Sequence, residues 1–197
     1  MLAASIVIYD GFVKQTPFGC IAMGGCRFFN VLLGMSVGAI TASGGGVLGY
    51  DASQWIVAGA IGTYVAGITI FAKTEARDSD TRMLTFGLAV MLIGLLMLSY
   101  FPRAGVFASG RALTLSNSAV WPMLVALLGF SVARRCMVAV TSPQPKLIQV
   151  AVKQSILSLI VFNAAIVLAV QAPFYWALIV LLLMVPMLVL GRWVYST

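Results

Sequence analysis

Apolar residues in this chain come in long unbroken runs, neither alternating one-in-two nor confined to one helical stripe. A run of about 20 mainly apolar residues is long enough to cross the roughly 30 Å hydrocarbon core as a helix. Only a helix satisfies its own backbone there without a partner strand. Six runs qualify: Phe18 to Ile40, Gln54 to Ala72, Met83 to Phe101, Ala119 to Ala133, Val150 to Val170 and Phe174 to Leu190. The connections are of different kinds. Thr41 to Ser53 is glycine-rich, with Gly44, Gly45, Gly46 and Gly49; Lys73 to Arg82 is dense in charge; Gln171, Ala172 and Pro173 form a minimal turn. The pattern predicts an all-α membrane protein, a single bundle of about six transmembrane helices over residues 1–197.

Composition excludes the soluble alternatives. The chain is 61% hydrophobic and 9% charged, where a soluble domain is about a quarter charged. Twelve bases and five acids cannot coat a soluble protein of 197 residues. The net charge of +7 does not indicate nucleic acid, because no basic run is interleaved with aromatics. The bases instead sort by side. Lys14, Lys73, Arg77, Arg82, Arg134, Arg135, Lys146, Lys153 and Arg192 fall on one face, and Arg103 and Arg111 on the other. Bases are retained in the cytoplasm, so the first face is expected to be cytoplasmic, with both termini on it.

Cys20, Cys26 and Cys136 are odd in number and spaced for neither zinc nor a disulfide framework. With no histidine, the usual general base and the commonest zinc ligand are missing. No internal repeat marks a transporter of duplicated halves. Met1 to Ile8 is apolar but too short to span, and is expected to be the last turns of a helix that begins upstream.

Three places carry candidate chemistry. In the charged connection, Glu75 and Asp78 share a face if the helix continues, and with Asp80 they are oxygen donors suited to a hard cation such as Mg²⁺. Lys73, Arg77 and Arg82 could meet phosphate oxygens; the alternative is a solvated loop of self-neutralising charge. The second place is Tyr9 to Gly19, where Pro17 turns the chain into the bilayer. Lys14 there is expected at headgroup depth, either against a phosphate or as a snorkelling anchor. Third, Arg27 lies two to three turns inside the first run, where exposure to lipid costs at least roughly 2.5 kcal/mol. Arg27 should then face the bundle or a wet cavity, with Asn30 and Gly34 on the same face; a structural bond to a carbonyl is the alternative. Asn163, deep in the fifth run, is expected to bond between helices. Lys146, Gln149 and Lys153 share a face after Pro143 and Pro145. They form either a short interfacial stretch or anchors for the fifth span.

At these residues the chain resembles the UbiA superfamily of intramembrane prenyltransferases. Tyr9-Asp10 through Lys14-Gln15-Thr16-Pro17 is similar to that family's Tyr-Pro…Lys-Arg-x-Thr loop. Phe71 to Asp80 is similar to its second aspartate-rich motif, Asp-x-x-Tyr-Ala-x-x-Asp-x-x-Asp-Asp. A narrower resemblance is to the EboC-like subgroup of bacterial ebo gene clusters. It is carried by Met23-Gly24-Gly25-Cys26-Arg27-Phe28-Phe29-Asn30-Val31-Leu32-Leu33-Gly34 and by Gly191-Arg192-Trp193-Val194-Tyr195-Ser196-Thr197.

The resemblance implies transfer or binding of a polyprenyl diphosphate at the cytoplasmic face of the bacterial inner membrane, with Mg²⁺ and an unidentified acceptor. It implies diphosphate contacts at Lys14, Lys73 and Arg77, metal contacts at Glu75, Asp78 and Asp80, and a lumen lined by Arg27 and Asn30. The sequence departs from the family at two points. Its first motif, Asn-Asp-x-x-Asp, does not occur, which implies an N-terminally truncated member of a roughly nine-helix fold. In the second motif Ile68 stands where the first aspartate would, Glu75 replaces the next, and Ser79 interrupts the final pair. The alternative is a non-catalytic helper that binds or exports a lipid or metabolite. A channel or transporter fits less well, because Arg27 is the only charge deep in a run.

Overall fold

In lipid every backbone group must find its partner inside the protein, and among the described residues each of the six apolar runs contains a helix, the sixth only a short one. The computed structural model describes residues 18–41, 49–73, 81–103, 120–169 and 174–186. The helices are α1 (Gly19–Thr41), α2 (Ala52–Lys73), α3 (Thr81–Tyr100), α4 (Val120–Thr141), α5 (Pro145–Ala169) and α6 (Phe174–Leu182). A single 3-10 turn, Phe101–Arg103, follows α3. Five of these helices are long and apolar enough to cross a membrane, and a shorter apolar stretch covers Tyr175–Pro186. The chain is therefore an all-α, multi-pass membrane protein.

Local chemistry sets the helix starts. Gly49 takes a positive φ of 79°, a conformation that costs glycine nothing, and turns the chain ahead of α2. Asp51 then caps α2: its backbone N–H donates to the Gln54 side chain at 2.9 Å, and its carbonyl accepts from the Gln54 N–H at 3.0 Å. The Gln54 side-chain bond is the return half of a capping box, with the Asp51 carbonyl in place of its side chain. Pro145 opens α5, a position where a missing N–H costs nothing.

Two boundaries differ from the hydropathy pattern. The fourth run was expected to end at Ala133, yet α4 continues to Thr141. The fifth was expected from Val150, yet α5 starts at Pro145. Hydropathy falls at Arg134 and Arg135, but charge does not end a helix; both side chains are exposed on α4. What ends it is Ser142-Pro143, since proline disfavours helical geometry in the residue before it. Lys146, Gln149 and Lys153 accordingly lie on the opening turns of α5, as anchors rather than as a separate interfacial helix.

Consecutive helices pack against one another, and α2 also touches α5. α2 is thus central, with 56% of its span buried, against 28% for the α1 window Gly19–Ser36. Apolar side chains gain little by leaving lipid for protein, so close backbone approach and hydrogen bonds hold such bundles together. The α2–α3 seam is of that kind. A Cβ on Gly67 would lie 2.7 Å from the Met91 backbone nitrogen and 2.9 Å from the Gly87 carbonyl. A Cβ on Gly94 would lie 2.8 Å from the Tyr64 nitrogen. Partner numbers rise on one helix as they fall on the other, so the pair is antiparallel. Trp121, Phe71, Phe162, Leu84 and Met91 fill the interior. Leu96, Met123, Leu127 and Phe130 face outward, as lipid-facing positions should.

Candidate membrane-face site

α2 ends at Lys73 and α3 begins at Thr81, so both ends meet on the side that carries most of the bases. Lys73 is half-buried in the last turn of α2, where a cation complements the negative end of the helix dipole. Arg82 is exposed in the first turn of α3, where unpaired backbone N–H groups favour an anion. A shallow, open surface groove follows α3 from this point, bordered by the exposed side chains of Thr81, Arg82, Thr85, Phe86 and Ala89. Its upper rim is hydroxyl and guanidinium; its lower wall is aromatic ring and methyl. Thr81, Thr85 and Ala89 recur at every fourth residue, so helical spacing alone could have revealed this face. The charge pattern singled out Arg82, while Thr85 and Phe86 read as ordinary span residues.

The remaining expected contacts of this face, Lys14, Glu75, Arg77, Asp78 and Asp80, lie outside the described residues. Among the described residues no group of three or more cysteine, aspartate or glutamate side chains could hold a metal ion.

Arg27 and Asn30 are both exposed on α1. α1 meets α2 through the adjoining flank, Gly24 and Phe28: a Cβ on Gly62 would lie 3.0 Å from the Gly24 carbonyl and 3.1 Å from the Phe28 Cβ. The described helices do not close a cavity over Arg27 and Asn30.

A second polar centre, absent from the sequence reading, lies at mid-depth between α2, α4 and α5. The Tyr64 hydroxyl lies 2.8 Å from the Ser158 Oγ and donates to the Ser155 carbonyl at 3.2 Å. The Ser155 Oγ donates to the Ala151 carbonyl at 2.9 Å and sits 3.9 Å from the Cys136 Sγ. Tyr64 also meets Phe162 edge-on, with ring centroids 5.7 Å apart. All of these hydroxyls are buried and every one has a partner, so the cluster is interhelical glue. Asn163 differs from expectation: its Nδ2 donates to the Leu159 carbonyl of its own helix at 2.9 Å. An amide one turn above a carbonyl satisfies itself locally and has no need of a neighbour.

Comparison with protein-family models, curated proteins and solved structures finds no match to this chain. Function must be argued from the faces just described.

Proposed function

We propose that this chain is a UbiA-like protein of the bacterial cytoplasmic membrane that receives the diphosphate end of a polyprenyl lipid where α2 gives way to α3. The observation that carries this reading is the groove on α3. Thr81, Arg82 and Thr85 offer donors at its rim, and Phe86 and Ala89 offer an apolar wall below. A diphosphate at the rim would meet the positive end of α3 and Lys73 at the end of α2, and the resemblance adds Arg77 and Lys14 as further phosphate contacts. The excess of bases on this side supports a cytoplasmic orientation.

If the protein transfers the prenyl group, the carbon–oxygen bond to diphosphate breaks, the allylic carbon becomes electron-poor, and an acceptor nucleophile bonds to it and loses a proton. Donors around the departing diphosphate stabilise the charge it gains. Mg²⁺, held by Glu75, Asp78 and Asp80, would supply further charge neutralisation at that leaving group.

A binding protein without transfer is the second reading. It is favoured by the filled interior between α2, α3, α4 and α5, which leaves the tail lying along the outside of α3. Purified chain in detergent, offered radiolabelled farnesyl diphosphate with Mg²⁺ and a membrane extract, tests both. Retained label that Arg82→Ala and the Glu75→Ala/Asp78→Ala pair both weaken supports the site; a labelled acceptor product selects transfer. Absence of bound label, or binding indifferent to all these substitutions, defeats the proposal.

A further inference from the structure

We propose that the outward face of α1 is a docking surface for a transmembrane helix of another membrane protein, one that carries a carboxylate near its midpoint. This face is separate from the α3 groove. Arg27, Asn30 and Gly34 recur at i, i+3 and i+7 and are all exposed, beside the flank of Gly24 and Phe28 that packs against α2. Arg27 makes no hydrogen bond or ion pair among the described residues.

Depth decides what can satisfy it. α1 has 23 residues, and Asn30 is the central one. At about 1.5 Å per residue, Arg27 lies roughly 4.5 Å from the midpoint. That leaves about 10 Å of hydrocarbon on its nearer side, more than an arginine stem covers without thinning the bilayer. Lipid phosphate is therefore a poor counter-ion here.

A second copy of the chain is a poor one too. Copies with the same orientation would set Arg27 against Arg27. No described helix contains an aspartate or glutamate: the chain's acids are Asp10, Asp51, Glu75, Asp78 and Asp80, and only Asp51 is among the described residues, just ahead of α2. The described helices offer Arg27 no counter-charge, and a carboxylate on a helix of another protein would supply one at that depth. A carboxylate accepts two parallel N–H bonds from a guanidinium. Asn30 adds a donor and an acceptor one turn away. Gly34, where an added Cβ meets nothing within 4 Å, leaves room for close backbone approach.

The full chain, donor-labelled in phosphatidylcholine vesicles, would be titrated with acceptor-labelled leucine–alanine helices of about 20 residues. The helices carry glutamate, glutamine or leucine at the midpoint. We expect the glutamate helix to bind at least about tenfold more tightly than the leucine helix. Arg27→Leu should abolish that preference and Arg27→Lys keep part of it, with unchanged helicity by circular dichroism. Gly34→Ile, which displaces no described contact, should weaken the glutamate helix and serves as a second, independent variant. Equal binding of the glutamate and leucine helices overturns the proposal. So does a preference that survives Arg27→Leu, or energy transfer between copies of the chain itself that Arg27→Leu removes.

Discussion

Tyr64 shows how much one hydroxyl carries in this bundle. Its O–H bridges α2 to α5 through the Ser158 Oγ and the Ser155 carbonyl, where all three residues are buried. Interhelical hydrogen bonds in membranes contribute about 0.6 kcal/mol on average and up to roughly 2. Tyr64→Phe should therefore lower stability by about 1 kcal/mol in a reversible unfolding titration from mild into denaturing detergent. Ser158→Ala should cost a similar amount, and the double variant less than the sum, because both remove the same bond. The ring of Phe preserves the edge-on contact with Phe162, so the loss reports the hydroxyl alone. Nothing in the sequence announces this pair. The partners are 94 positions apart, and a tyrosine or serine inside an apolar run looks the same whether it meets lipid, its own helix or a neighbour. Asn163 makes the converse point, being conspicuous in sequence and bonded only within α5.

At the scale of elements, glycine placement separates the seam from the surface. Gly67→Val would force its side chain onto the backbone of Met91 and Gly87. Overpacking of that kind costs about 1–3 kcal/mol or more, and should appear as an earlier unfolding midpoint in the same titration. Gly25→Ala meets nothing within 4 Å. It should be neutral or stabilising by up to about 1 kcal/mol, since alanine favours the helix. The existence and order of the helices were legible because twenty apolar residues in sequence have few alternatives in lipid. Helix ends were less so. Arg134 and Arg135 lower the hydropathy without stopping α4, whereas Ser142-Pro143 stops it without a large change in hydropathy. The close glycine contacts were not legible, because spacing along one helix does not say which helix lies opposite.

For the molecule as a whole, the sided distribution of bases in the sequence points to the face where α2 ends and α3 begins. That face proved to have Lys73, Arg82 and an open groove at the head of α3. The depth of Arg27 was legible too, but its direction was not: which side of α1 faces α2 depends on Gly24 meeting Gly62, a contact between residues far apart in the chain. None of the described helices contains an acid that could serve as the counter-charge of Arg27.

The Trp121 indole N–H donates to the Leu98 carbonyl at 2.9 Å, and the Trp121 ring meets Phe101 edge-on at 5.6 Å. The first turn of α4 is thereby fastened to the last turn of α3 independently of the peptide that joins them, and Tyr64 fastens α2 to α5 further along. These contacts do not depend on an unbroken peptide between α3 and α4. Residues 1–110 and 111–197, produced as two separate polypeptides in one cell, should co-purify in mild detergent as a complementing pair. Trp121→Ala in the second piece should sharply reduce the yield of that complex.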